Sequence, residues 1–223
     1  MDTPTKFNIR QEIFPILLIL VSFAFGVYFY QHFPDRVASH WNFKGEVDGY
    51  TGKFFGSLFI PLLLLGMYVL FLVLPKIDPK KERYAEFMGV YNLVKTLILG
   101  VMFVIFLATG YYNLGFKISI GSLVPMLIGA MFIVMGNYMG KIKNNWFLGI
   151  KTPWTLSSEN VWNKTHRLGG WLFMLFGLGL VLVPFLPASY SPVILFGGVI
   201  ILVLGTFVYS YWLYRKEKEN QIQ

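Results

Sequence analysis

The sequence predicts an all-α, polytopic membrane protein with six transmembrane helices and both termini in the cytoplasm. Three observations carry that reading. Six almost uncharged apolar runs divide the chain, each long enough to cross a hydrocarbon core about 30 Å thick, which takes roughly 20 helical residues. The composition is 56% hydrophobic and only 13% charged, with a mean hydropathy of +0.59, too apolar for an ordinary soluble domain. The basic residues are also distributed unevenly between the segments that separate the runs.

The runs are Ile13–Phe33, Phe54–Pro75, Val90–Leu114, Ile118–Gly140, Leu168–Leu186 and Pro192–Tyr214. Only His32 and Lys95, both near run ends, interrupt them with ionisable groups. Each run must be helical, because an open strand in lipid leaves its N–H and C=O groups without partners. The first run follows Lys6 and Arg10 as a secretory signal would, with a faint cleavage pattern at Ser22-Phe23-Ala24. Its length and the further spans behind it favour a retained signal-anchor. Proline disfavours helix continuation at Pro34, Pro75, Pro184 and Pro187, whereas Pro61 and Pro125 inside the second and fourth runs predict kinks. Gly66, Gly100, Gly129, Gly136, Gly177, Gly179, Gly197, Gly198 and Gly205 suit close helix packing. Tyr28, Tyr30, Tyr111, Tyr112, Trp171, Tyr209, Trp212 and Tyr214 fall near run ends, where aromatic rings anchor at the headgroups.

Alternating the runs across a membrane collects 15 of the 19 basic residues on one side. They are Lys6, Arg10, Lys76, Lys80, Lys81, Arg83, Lys95, Lys141, Lys143, Lys151, Lys164, Arg167, Arg215, Lys216 and Lys218. Arg36, Lys44, Lys53 and Lys117 remain on the other side. A positive side is a cytoplasmic side, so the net charge of +8 is topological, with anionic lipid as its partner and no role for nucleic acid. The spans use up nearly all of 1–223, which reads as a single membrane domain with an extracytoplasmic motif loop at 34–53 and a cytoplasmic one at 141–167. Three spans per half, with the longest loop after the first span of each, fit the loop spacing of inverted-repeat transporters, although no sequence match links the halves.

The outer loop, Pro34–Lys53, is rich in polar groups. Asn42, Gly45 and Gly49 supply turn chemistry. His40, Glu46 and Asp48 carry donors suited to a divalent cation, in a spacing that is not a specific metal signature. The alternatives are a compact loop held by its own hydrogen bonds, or a recognition surface anchored by Trp41 and Tyr50. In the inner loop, Pro153 should hold Thr152 extended, and Ser157 or Ser158 should cap a helix with Glu159 in its first turn. Trp162, His166 and Gly169 share a face of that helix. Trp146, Trp154 and Trp162 would plug the bundle end, lie among the headgroups or grip a partner.

The inner segment Asn145-x-x-x-Gly149-Ile150-Lys151-Thr152-Pro153-Trp154-Thr155-Leu156, followed by Val161-Trp162-x-x-Thr165-His166-Arg167, resembles the signature of the SdpI family of bacterial integral membrane immunity proteins. The outer segment Pro34…His40-Trp41-Asn42-x-x-Gly45-x-x-Asp48-x-Tyr50 resembles the uncharacterised N-terminal membrane domain that precedes it in that family. Two departures stand out: Lys151 replaces an expected arginine, and Val37-Ala38-Ser39 replaces an isoleucine-proline pair. The resemblance implies protection of the cell from a secreted, membrane-active peptide toxin, and a signalling role in which a cytoplasmic transcriptional repressor is held at the membrane. On that reading His40, Trp41, Asn42, Gly45 and Asp48 are the residues expected to shape the outer, toxin-facing surface, and Lys151, Thr152, Trp154, Trp162, His166 and Arg167 the inner, partner-facing one. No cofactor and no catalysis are expected.

Two other classes compete. A small exporter of a peptide or amphiphile would use ionisable residues inside spans, of which the runs offer almost none. A metal-dependent membrane enzyme would need His40, Glu46 and Asp48 to converge. Neither H-E-x-x-H nor G-x-S-x-G occurs, and no cysteine is present.

Overall fold

The computed structural model describes residues 9–222; Lys6, counted among the cytoplasmic cations, lies outside the described residues. Among the described residues, six helices are long and apolar enough to cross a membrane. In chain order the elements are α1 (Ile9–His32), β1 (Arg36–Trp41), β2 (Val47–Gly52), α2 (Lys53–Ile77), α3 (Tyr84–Asn113), α4 (Ile120–Met139), the short α5 (Pro153–Ser157), α6 (Glu159–Leu182) and α7 (Tyr190–Ile222). Single 3-10 turns at Lys81–Arg83 and Val183–Phe185 complete the chain. Pro61 and Pro125 lie within continuous helices α2 and α4. The protein is a multi-pass helical membrane protein.

The helices outrun the apolar segments that announce them. α1 starts at Ile9 and so includes Glu12; α6 starts at Glu159, well before Leu168; α7 continues past Tyr214 to Ile222. Hydropathy marks the lipid-embedded part of a helix, whereas backbone hydrogen bonding continues into the polar layer until a cap stops it.

α1, α2 and α3 pack on one another around Leu18, Ile19, Leu64, Tyr68 and Leu99. α4, α6 and α7 form a second group around Phe176, Leu180 and Leu202. The groups meet through α3 and α4, and a cluster including Phe71, Tyr84, Phe87, Tyr91, Met139, Ile142 and Trp162 joins them near the end that holds the first turn of α1 and the last turns of α7. The most extensive pairing is α4 with α6. Its crossing is set by two reciprocal glycine contacts. A Cβ on Gly136 would lie 2.6 Å from the Gly170 carbonyl oxygen, and one on Gly177 would lie 2.5 Å from that of Gly129. No real Cβ sits so close to a carbonyl oxygen, so only glycine lets the backbones touch. Gly66, Gly100 and Gly197 have no such neighbour, so the packing role expected for them is not realised.

The outer loop departs from an all-α reading. It is an antiparallel β-hairpin, irregular around Ser39, with Arg36 opposite Gly52, Ala38 opposite Tyr50 and Trp41 opposite Val47. Its short strands lack an alternating apolar pattern, which is why sequence shows the turn and not the strands. The hairpin rests on the bundle: Val37 is buried with Phe29, Phe33 and Phe106. Asn113 at the end of α3 substitutes for a third strand, its carbonyl accepting from the Ala38 N–H (2.7 Å) and its amide donating to the Ala38 carbonyl (3.0 Å).

Candidate functional site

Two sites at opposite ends of the bundle contain all the residues singled out from sequence. At the hairpin end, the turn is organised by Asn42. Its side-chain oxygen accepts from the backbone N–H groups of Lys44 (2.9 Å) and Glu46 (3.1 Å), and its amide donates to the Glu46 carboxylate (3.0 Å). Gly45 sits at φ 79°, a left-handed conformation that glycine adopts without steric cost. His40 and Asp48 pair across the strands, Nδ1 to Oδ1, at 2.5 Å, both exposed. An exposed pair of this kind contributes about 0–1 kcal/mol. Glu46 faces Asn42, so the three candidate metal ligands do not converge. Among the described residues no group of three His, Cys, Asp or Glu side chains is placed to hold a metal. The cation reading is corrected to a hairpin held by hydrogen bonds.

Trp41 is the residue at the centre of this end. Its ring packs edge-on against Tyr112, with centroids 5.3 Å apart, and its indole N–H is buried with no hydrogen-bond partner among the described residues. Two recesses adjoin it. One, of about 350 Å³, lies between the hairpin turn and α3, α4 and α7, and is lined by His40, Asn42, Phe43, Thr109, Val124, Pro125 and Ser191 among others. The second, of about 260 Å³, lies under the hairpin against α1, α2 and α3, with Phe33, Ala38, Phe55, Phe59 and Asn113 in its walls. Ser39, Trp41, Ile105 and Thr109 line both. The chemistry is that of a small-ligand or side-chain pocket: apolar walls with a few placed polar groups.

At the opposite end, the inner loop folds into a plug held by its own hydrogen bonds. Thr152 has extended backbone, with φ −121° and ψ 163° as Pro153 requires, and caps α5 reciprocally with Thr155. Ser158 caps α6, accepting from the Val161 N–H. Trp162 and His166 stack with centroids 4.0 Å apart, and both are fully buried. The Trp162 indole N–H donates to the Ile142 carbonyl at 2.8 Å. The Ile150 N–H donates to His166 Nε2 at 2.9 Å, which leaves Nδ1 to donate to the Trp162 carbonyl at 2.9 Å. That arrangement requires a neutral imidazole with its proton on Nδ1. Gly149, at φ 115°, brings the loop onto the His166 ring, where a Cβ would collide.

Thr152, Trp162 and His166 therefore cannot serve as a contact surface; they are interior parts that shape the loop. Trp154 is half-buried against Phe207 and Tyr211 of α7, and only Lys151 and Arg167 of the expected partner surface are exposed. A polar pattern in a loop does not reveal which side chains will turn inward to satisfy the backbone.

Three further groups organise this end; Asp78 and Asn144 were not singled out from sequence, and Asn145 entered only as the first residue of the family pattern. Asp78 is buried and accepts from the Lys80 N–H (2.7 Å), the Trp146 N–H (2.9 Å) and the Tyr84 hydroxyl (3.0 Å). Asn144 accepts from Lys80 Nζ at 2.7 Å and donates to the Thr155 carbonyl at 3.1 Å. Asn145, fully buried, accepts from the Phe147 and Leu148 N–H groups (2.8 and 2.7 Å) and donates to the Lys143 and Leu148 carbonyls (2.8 and 2.9 Å). The Asn-Asn pair before a tryptophan is the sequence signal, since short amides mimic turn backbone. Asn145→Ala is expected to destabilise this loop by about 3 kcal/mol, because it strands several buried backbone groups. The chain has no cysteine, so a single one placed at Leu148 reports the change directly. Its maleimide labelling should accelerate in the Asn145→Ala background, and an unchanged rate would disprove the anchoring role.

Comparison with known proteins places both ends in recognised sequence groups. Residues 141–210 match the model of the SdpI/YfhL protein family, and residues 17–65 match a domain of unknown function (DUF1648). The chain is 25% identical over 207 residues to the immunity protein SdpI of Bacillus subtilis (strain 168), spanning 93% of this chain and 97% of that protein. No solved structure matches. The two matched segments contain the two loops just described, the hairpin in one and the plug in the other.

Proposed function

We propose that the chain, which matches the SdpI/YfhL family model over residues 141–210 and is similar along 93% of its length to an immunity protein, is a non-enzymatic membrane immunity protein, protecting its cell from a membrane-active peptide toxin. The observation that carries the reading is Trp41, which lines two apolar recesses at the hairpin end and whose buried indole N–H has no hydrogen-bond partner among the described residues. A peptide that partitions into a bilayer presents apolar side chains and backbone carbonyls, the two features such a site takes up. His40, Asn42, Gly45 and Asp48 hold the hairpin in the form that flanks the recesses, and Trp41 supplies the anchor.

In this reading the hairpin end faces outward and the plug end faces the cytoplasm. The support is electrostatic: Arg36, Lys44, Lys53 and Lys117 are the basic residues at the hairpin end, and the remainder follow the opposite, positive-inside pattern. Recruitment of a cytoplasmic repressor would use the exposed rim around the plug, with Lys151, Arg167 and the free edge of Trp154 as contacts.

Expression in a toxin-sensitive bacterium tests the reading. Cells making the chain should survive a secreted membrane-active peptide that kills control cells. Trp41→Ala, at equal membrane abundance, should lower the tolerated dose about tenfold or more, as loss of a buried aromatic anchor does. Full protection by the Trp41→Ala protein would remove Trp41 as the anchor. Unprotected wild-type cells across a panel of such peptides would remove the immunity reading.

A further inference from the structure

The hairpin is tied down unevenly. At its base, Asn113 holds Ala38 through two hydrogen bonds of 2.7 and 3.0 Å, and Val37 is only 2% exposed. A Cβ on Gly56 would stand 2.8 Å from a Val37 methyl carbon, so the base also lies hard against α2. The tip, residues 42–46, reaches across to the other helix group and rests on it lightly. There Gly45 meets Gly121 of α4 backbone to backbone, and the Phe43 and Phe196 rings touch with centroids 6.2 Å apart. Among the described residues no hydrogen bond or ion pair joins the tip to α4 or α7; Asn42 and Glu46 use their polar groups within the turn.

Between base and tip the strand pairing is interrupted. Ala38 lies opposite Tyr50 and His40 opposite Gly49, which skips Ser39; Trp41 then lies opposite Val47, which skips Asp48. Extra residues of this kind bend a strand and disrupt its ladder locally. Beyond them the Asn42 bonds keep the turn a single stiff unit. A fixed base, an interrupted ladder and a stiff tip together make a hinge. Residues 39–43 line the recess of about 350 Å³, along with Gly121 and Pro125 of α4 and Ser191 of α7.

Trp41 lies on the tip side of the interruption. Its contact with Tyr112 favours the tip as it stands, whereas its buried indole N–H, without a partner among the described residues, opposes it. A buried donor has lost its water without replacement, and lifting the tip restores it. The lowered and raised forms are thereby brought close in free energy.

We propose that the hairpin tip is a flap, hinged at Ser39 and Asp48, which lifts off α4 and α7 and opens the recess beside Trp41 while the base stays on α3. The flap governs the same recess as the immunity reading, and it holds whatever that recess takes up.

Cysteine labelling of the purified full chain in detergent tests the flap without any ligand, since the sequence has no cysteine of its own. Ser191→Cys reports on the recess, where Ser191 is 8% exposed, and Val37→Cys reports on the base. Gly121→Ala acts as a wedge, because its Cβ would stand 2.7 Å from the Gly45 Cα. It should raise maleimide labelling of the Ser191→Cys protein about tenfold, the order by which overpacking shifts such an equilibrium. Val37→Cys should stay protected. Phe43→Ala removes only an exposed ring contact, and should raise the Ser191→Cys rate about threefold, as loss of an aromatic pair does. With Val37→Cys protected, an unchanged Ser191→Cys rate in the Gly121→Ala background refutes the flap. If Gly121→Ala also exposes Val37→Cys, its fold is lost and Phe43→Ala decides alone. Acceleration confined to Ser191→Cys then supports the hinge; an unchanged rate, or equal acceleration at both cysteines, overturns it.

Discussion

Replacing Lys95 by methionine is expected to destabilise the protein by about 3–5 kcal/mol, the cost of leaving a buried charge without its partner. Lys95 is 1% exposed and Glu12 is 5% exposed. The ammonium donates to both carboxylate oxygens of Glu12, at 2.6 and 2.8 Å. The pair joins α1 to α3 across 83 residues of sequence, with the Tyr68 ring centroid 5.9 Å from the ammonium. Removing either partner leaves the other in a low-dielectric interior. Removing both removes the penalty, so Glu12→Met combined with Lys95→Met should recover most of the loss. The measurement is unfolding by sodium dodecyl sulfate in mixed micelles, followed by intrinsic fluorescence. Single substitutions costing under 1 kcal/mol would show that water reaches the pair.

The second large effect is expected at the α4–α6 crossing. Gly136→Ala or Gly177→Ala adds a Cβ 2.6 or 2.5 Å from a carbonyl oxygen of the facing helix. Backbone cannot give way as a flexible side chain can, so the helices must separate along their contact. A cost of about 2–3 kcal/mol follows from overpacking. Gly66→Ala and Gly100→Ala add a methyl group that meets nothing within 4 Å. Each should instead stabilise its helix by about 0.5–1 kcal/mol, because alanine loses less backbone freedom. Equal behaviour of the two sets in the same unfolding measurement would contradict the crossing geometry.

These two effects mark how far residues alone can be read. Glu12 lies one residue ahead of the first apolar run and looks like part of a solvated flank; Lys95 looks like a cation close enough to a helix end to reach water. Neither assignment is unreasonable one helix at a time. Their pairing depends on the register of α1 against α3, which no local pattern encodes. The glycines are harder still. Gly66 and Gly136 occupy similar positions in similar apolar helices, yet one faces open space and the other a carbonyl oxygen.

The loops divide along the same line. Thr152, Pro153 and Ser158 act through their own backbone neighbours, and their extended, capped conformations were legible from the residue types. Trp162, His166 and Gly169 were correctly placed on one face of a helix, because helical periodicity requires it. That the face turns inward, so that Trp162 and His166 support the loop instead of meeting a partner, follows from where Ile142 and Ile150 lie. The hairpin shows the same split: Asn42 and Gly45 announce a turn, whereas the strands exist because Asn113 and the top of the bundle give them something to lie against.

Six membrane-crossing helices, the charge asymmetry between their connections and the family pattern in both loops were set by the sequence itself. Transfer into lipid depends on the apolar content of about twenty consecutive residues, a property counted along the chain. The tertiary structure alone decided which buried charges meet, which glycines are contacts, which loop residues face inward and where recesses open beside Trp41. Those outcomes depend on distances between segments far apart in sequence, and only packing determines such distances.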